Sequence, residues 1–226
     1  MAAANNALFE IPALIRAEGV TLLGSIAFPR DPVGVVLIPH ASNGSRYNQV
    51  DNVLARGLRD AGLATMQLDL LTQAEATDPI AAQDIHLLAR RILFATAWLE
   101  HLPECAGLPI AYLAATLAAA AALVAAADAG HRVRAVVARN GRSDLAVYAL
   151  PRVKAPVLFV MRNVEARLLE MTYAALPLLG GERELAIVAG VAPLLEEPRA
   201  LDHLAWLVTG WCRRYLAPSL SAGVGR

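Results

Sequence analysis

Short apolar runs of strand character alternate with longer amphipathic segments along nearly the whole chain. This order predicts an α/β protein: a three-layer α/β/α sandwich around a mostly parallel sheet of eight strands. Two further observations support that class. Runs such as Val35-Val36-Leu37-Ile38 are continuously apolar, as strands covered on both faces must be. The intervening segments place apolar residues at helical spacing, for example Val50, Leu54 and Leu58.

The elements follow in order. Strands are predicted over residues 7–15, 20–28 and 35–38, the third ending at Pro39-His40 before the polar loop Ala41-Ser42-Asn43-Gly44-Ser45-Arg46. A helix over 48–61 stops at Gly62, where a glycine suits a helix C-terminus. A strand over 64–70 precedes one long helix over 79–102, with Ile85, Leu88, Ile92, Ala95 and Leu99 on its apolar face. Strand 108–114 runs into helix 116–127, strand 133–138 closes at Arg139-Asn140-Gly141, and strand 155–160 follows. Helix 166–179 ends at Gly180-Gly181, and strand 184–189 and helix 201–215 complete the domain. There is no internal repeat. One domain is expected over residues 1–217, with a mobile tail at 218–226.

Composition excludes several classes. With 20 basic and 20 acidic residues the formal charge is zero, so no basic stripe points to nucleic acid. Cys105 and Cys212 are far apart and show neither metal-ligand nor redox-motif spacing, which suits a reducing cytoplasm. The first residues lack the positive segment of a signal peptide, and Glu10 interrupts any apolar stretch there. Residues 105–127 carry no charge and are long enough to span a bilayer. Much of that run is alanine, which inserts weakly, and Pro109 stands near its start. A buried strand followed by a buried central helix accounts for it, and no membrane is expected.

The chemistry concentrates where strand 108–114 meets its helix. The turn there reads Ala114-Ala115-Thr116-Leu117-Ala118, at the place and spacing of a G-x-S-x-G nucleophile elbow. Together with Val36-Leu37-Ile38-Pro39-His40, the stretch from Gly62 to Thr72, Arg139-Asn140-Gly141-Arg142-Ser143-Asp144-Leu145 and Glu196-Glu197-Pro198, it resembles the α/β-hydrolase fold. The closest likeness is to dienelactone-hydrolase-like bacterial hydrolases, over about residues 20–215. That resemblance implies a serine or cysteine nucleophile, an acid after the next-to-last strand and a histidine after the last. Thr116 falls at the nucleophile position, Glu165 at or beside the acid, and Pro193 at the base. His40, Ala41, Ser42 and Leu117 fall where the oxyanion hole and pocket are formed. No cofactor or metal is implied.

The three departures differ in weight. Glutamate can replace aspartate, since the acid only orients and stabilises an imidazolium. Threonine keeps a hydroxyl but adds a branch on a turn that wants positive φ, and the alanines at 114 and 118 add Cβ atoms where glycine is usual. The turn is therefore expected to relax to ordinary geometry or to bury Thr116. Proline in place of histidine removes the proton acceptor without which an alcohol is a poor nucleophile, at a cost of about 10⁴–10⁶ in rate.

Substitutes for the base are few. His40 could approach Thr116, although hydrogen bonding to the loop backbone is the favoured reading for it. Ser42 and Ser45 are read as turn residues, Arg46 as solvated or ion-paired, and Asp69 and Asp144 as loop caps. His86, His101, His131 and His203 are expected on the surface, and nothing near Cys105 would activate its thiol. The reading is a hydrolase-fold protein that is catalytically inactive and binds a small apolar ligand or a protein partner. The alternative is an ester or lactone hydrolase working through Thr116 with another base.

Overall fold

The eight strands are β1 (Phe9–Ala17), β2 (Val20–Phe28), β3 (Val35–His40), β4 (Ala64–Asp69), β5 (Ile110–Ala115), β6 (Val133–Arg139), β7 (Val157–Arg162) and β8 (Arg183–Val188). They form one sheet in the order β1-β2-β4-β3-β5-β6-β7-β8. Only the pairs β1–β2 and β2–β4 are antiparallel; from β4 to β8 every pairing is parallel. The computed structural model describes residues 9–41, 48–163, 166–189 and 197–218. Glu18 and Gly19, at φ 50° and 84°, make the two-residue turn that joins β1 to β2.

Seven α-helices cover the sheet among the described residues: α1 (Gln49–Asp60), α2 (Gln73–Ala76), α3 (Pro79–Gln83), α4 (Ile85–His101), α5 (Thr116–Ala129), α6 (Ala166–Ala175) and α7 (Pro198–Leu216). Strand alternation divides the core in two. Val35, Leu37, Ile110 and Tyr112 face the layer built from α4 and α5, whereas Val36, Ile38, Ala111 and Leu113 face α1 and α7. A register shift between Ile110 and Ala111 skips Arg134, leaving that arginine exposed at the edge of the pattern.

The uncharged run at 105–127 is β5 followed by α5, and every residue from Ala118 to Ala126 is buried. Alanine on all sides lets α4, the sheet and the turns after β6 approach this central helix at once. Among the described residues, no helix is long and apolar enough to cross a membrane. Beneath α5, Tyr112 is fully buried and its hydroxyl lies 2.6 Å from Thr96 Oγ1. Thr96 in turn donates to Ile92 O at 2.8 Å, so the phenol donates to Thr96 and neither polar group is stranded.

The long helix expected over 79–102 is broken. Asp84 sits at φ −76°, ψ 93° and its side chain accepts from Leu87 N at 2.9 Å, capping α4 and ending α3. An aspartate inside an apolar periodicity competes for backbone N–H groups, and here it wins. Gly62 behaves as expected: at φ 81° it follows α1 and donates to Arg59 O, while Leu63 N reaches back to Leu58 O. The expected mobile tail falls mostly outside the described residues.

Candidate active site

The C-terminal ends of β3, β5 and β6 meet α1 and α5 around a cavity of about 430 Å³. This is where open parallel sheets place their ligands. His40, Ala41, Thr116 and Leu117 all line it, so four of the residues singled out from sequence come together. Ser42, Glu165 and Pro193 lie outside the described residues, as do Ser45 and Arg46.

The expectation that the elbow relaxes or buries Thr116 is overturned on both counts. Ala115 is extended at ψ 154°, Thr116 holds φ 51°, and α5 begins at once. Thr116 is also exposed. The turn after β6 holds the elbow from behind. A Cβ added to Gly141 would come within 2.9 Å of Ala119 Cβ, and Arg142 N donates to Thr116 O at 3.4 Å. Tertiary packing thus overrides the local dislike of a β-branched residue for positive φ. No side chain caps α5, so its first N–H groups, at Leu117 and Ala118, stand at the cavity wall without intrahelical acceptors.

Among the described residues, the His40 ring meets no loop backbone group, and the loop expected to hold it lies almost wholly outside them. The ring is buried, with Nδ1 3.7 Å from Asp51 Oδ2. Among the described residues, its Nε2 is sealed from solvent without a well-formed hydrogen bond, as is Gln67 Oε1, although Gln67 stands near enough to pull on the ring. Burial lowers the His40 pKa, against the pull of Asp51, Asp69 and Gln67 and with a further push from Arg139, so the imidazole is neutral at pH 7. No hydrogen bond joins Thr116 to any of the five histidines of the chain. His86 packs against Tyr148, His101 Nδ1 lies 2.7 Å from Ala97 O, and His203 stacks on Trp206.

The residues missed from sequence are Asp51 and Arg139, a buried carboxylate and a partly buried guanidinium that form an ion pair beside His40. Asp51 had a signal: it stands three, four and seven residues before Leu54, Ala55 and Leu58, on the buried stripe of α1. Its partner lies 88 residues away at the end of β6, a distance no local pattern bridges. Asp69 is buried, and Asp144 pairs with Arg142 at 2.8 Å. Burial pushes both Cys105 and Cys212 up to about 12, with Glu104 adding to the shift at Cys105, so neither thiol ionises at neutral pH. Among the described residues, no three His, Cys, Asp or Glu side chains gather as a metal site.

No protein-family model matches the chain. The crystal structure of a dienelactone hydrolase from Anabaena variabilis superposes with a TM-score of 0.86 at 39% identity, covering 92% of this chain and 99% of that one. The chain belongs to the dienelactone hydrolase family. Within the same fold, Est1E from Butyrivibrio proteoclasticus matches with a TM-score of 0.77 at 13% identity, over 92% of this chain and 99% of that one. A dienelactone hydrolase-like promiscuous phosphotriesterase from metagenomic libraries gives 0.69 at 16%, over 91% and 99%. A Mycobacterium tuberculosis protein provisionally named a phosphoribosyl transferase is 39% identical over 210 residues, 93% of this chain. The chain spans about half the length of that curated relative, 47%.

Proposed function

We propose that this member of the dienelactone hydrolase family binds a small, largely apolar ligand in the elbow cavity and does not turn it over. The observation that carries the reading is the pairing of an exposed Thr116 with no imidazole hydrogen-bonded to it. An alcohol at neutral pH stays protonated without a base, so the first step of acyl transfer has nowhere to send its proton. His40 is buried against Asp51 and is occupied structurally. The cavity itself suits binding. Val50, Ala76, Ala82 and Leu117 give it an apolar side, and the uncapped start of α5 gives it donors for one carbonyl or carboxylate end.

A second reading, an ester or lactone hydrolase, draws on one observation: Thr116 keeps the strained, exposed geometry that a nucleophile uses. The two readings separate cleanly. Calorimetry with straight-chain carboxylates from butanoate to decanoate should detect binding. Hydrolysis of 4-nitrophenyl butyrate should stay at the uncatalysed rate, unchanged by Thr116→Ala. Turnover well above background that Thr116→Ala abolishes would reverse the order of the two readings.

A further inference from the structure

Two short helices between β4 and α4 stand over the cavity, and their attachment to the rest of the molecule is unusual. Neither α2 nor α3 contains a buried residue, and Ile80 is 81% exposed. Their inner sides nonetheless reach the site, because Ala76 and Ala82 line the same cavity as Thr116. Among the described residues, the hydrogen bonds made by residues 73–83 stay between residues 72 and 84, with one exception. That exception is Glu75. Its Oε1 accepts from Arg91 Nη2 at 2.5 Å and its Oε2 from Arg91 Nη1 at 2.8 Å, while Arg91 also donates to Leu70 O at 2.6 Å. The same carboxylate accepts from Thr72 N and Thr72 Oγ1, closing a capping box at the start of α2.

Arg91 is only 1% exposed, among the most deeply buried large side chains of the chain. A guanidinium at that depth needs a counterion, and the bidentate carboxylate of Glu75 supplies it. One ion pair therefore does two tasks: it neutralises a charge inside the α4 layer and fixes a segment that lines the cavity.

We propose that α2 and α3 form the roof of the ligand site, that Glu75 and Arg91 are the positioning residues that hold it, and that Ala76 and Ala82 set the bulk of ligand admitted. This inference rests on the binding reading for its ligand, though not for its mechanics. Two methyl side chains leave the space beneath the roof open. A larger side chain at either position takes that space from the ligand's apolar end and leaves the donors at α5 untouched. Releasing Glu75 frees the roof to shift, and discrimination by length falls.

The test compares the intact chain with Ala82→Leu, Glu75→Gln and the double variant Glu75→Gln/Arg91→Met. The double variant removes both charges together and keeps the fold measurable if the single change does not. Amide hydrogen exchange over residues 73–83 reads the roof, and calorimetry with butanoate and decanoate reads the site. Loss of Glu75 should raise exchange at least tenfold over 73–83 with α5 unchanged, and should narrow the ratio of the two affinities. Ala82→Leu should weaken decanoate at least tenfold and butanoate less than threefold. Unaltered exchange over 73–83 in both Glu75 variants overturns the clamp. Equal weakening of both carboxylates by Ala82→Leu overturns the role of the alanines. Failure of the unaltered protein to bind any carboxylate overturns the binding reading and the claim on ligand bulk with it, and exchange alone then decides the clamp.

Discussion

Replacing Thr116 by glycine should make the protein more stable, although it deletes a side chain at the heart of the candidate site. Thr116 holds φ 51°, is exposed, and no hydrogen bond from its hydroxyl reaches His40 or Asp51. Deleting the side chain therefore sacrifices little packing. A left-handed backbone costs a β-branched residue about 1–3 kcal/mol. Glycine removes that cost and adds back about 0.5–1 kcal/mol of freedom in the unfolded chain. The difference is a gain of about 1 kcal/mol, or roughly 2–4 °C in Tm for a domain of this size. Urea titration of the two proteins, with Thr116→Ala as a control that keeps a Cβ, measures it. Glycine should exceed alanine, and alanine should lie near the parent. A loss of about 1 kcal/mol or more on going to glycine would show that the elbow is not strained, and the argument for a retained nucleophile turn would fail.

Other consequences follow from buried polar groups. Tyr112→Phe should cost about 1 kcal/mol, because Thr96 keeps its bond to Ile92 O, whereas Thr96→Val strands the phenol and should cost more, about 1–3 kcal/mol. Asp51→Ala leaves the partly buried Arg139 without its counterion and should destabilise by about 2–3 kcal/mol in urea titration, more than the loss for an exposed aspartate. Acid should weaken the fold through two groups of the same sign. The hydrogen bonds of Arg91 hold the Glu75 carboxyl down at about 2, so its contribution is complete above the ordinary value of 4.5 and disappears as pH falls toward 2. Burial keeps His40 below its ordinary 6.5, so the native state resists the proton and stability falls as pH drops through that value. In urea midpoints measured against pH, His40→Gln should flatten the slope just below 6.5, and Glu75→Gln the slope between 4.5 and 2.

Much of the architecture was legible in the sequence because it rests on local periodicity. The apolar runs at Val35–His40 and Val157–Arg162 are buried on both faces of the sheet, and burial is what makes such runs continuous. The elbow was legible as a position, since Thr116 stands where a strand must turn into a helix. Its geometry was not, because the support comes from Gly141 and Ala119, which meet only in the folded chain. The break at Asp84 was hidden by an apolar stripe that runs on through it, and capping decided against the stripe. Long-range ion pairs were the least legible part. Nothing near Arg139 announces Asp51, and nothing in α4 marks Arg91 as the residue that fixes Glu75. In both cases a charge on an otherwise apolar helix face was the available sign, since such a residue is buried only with a partner.

The central claim is that a nucleophile turn persists here without the base that would make it react. A fluorophosphonate carrying a short alkyl chain tests this most directly, since it reports an activated hydroxyl regardless of which ester is the true substrate. After prolonged incubation at neutral pH, peptide mass spectrometry should find the Thr116 peptide unmodified, with labelling no faster than in heat-unfolded protein. Rapid stoichiometric phosphonylation of Thr116, lost on unfolding, would contradict the account.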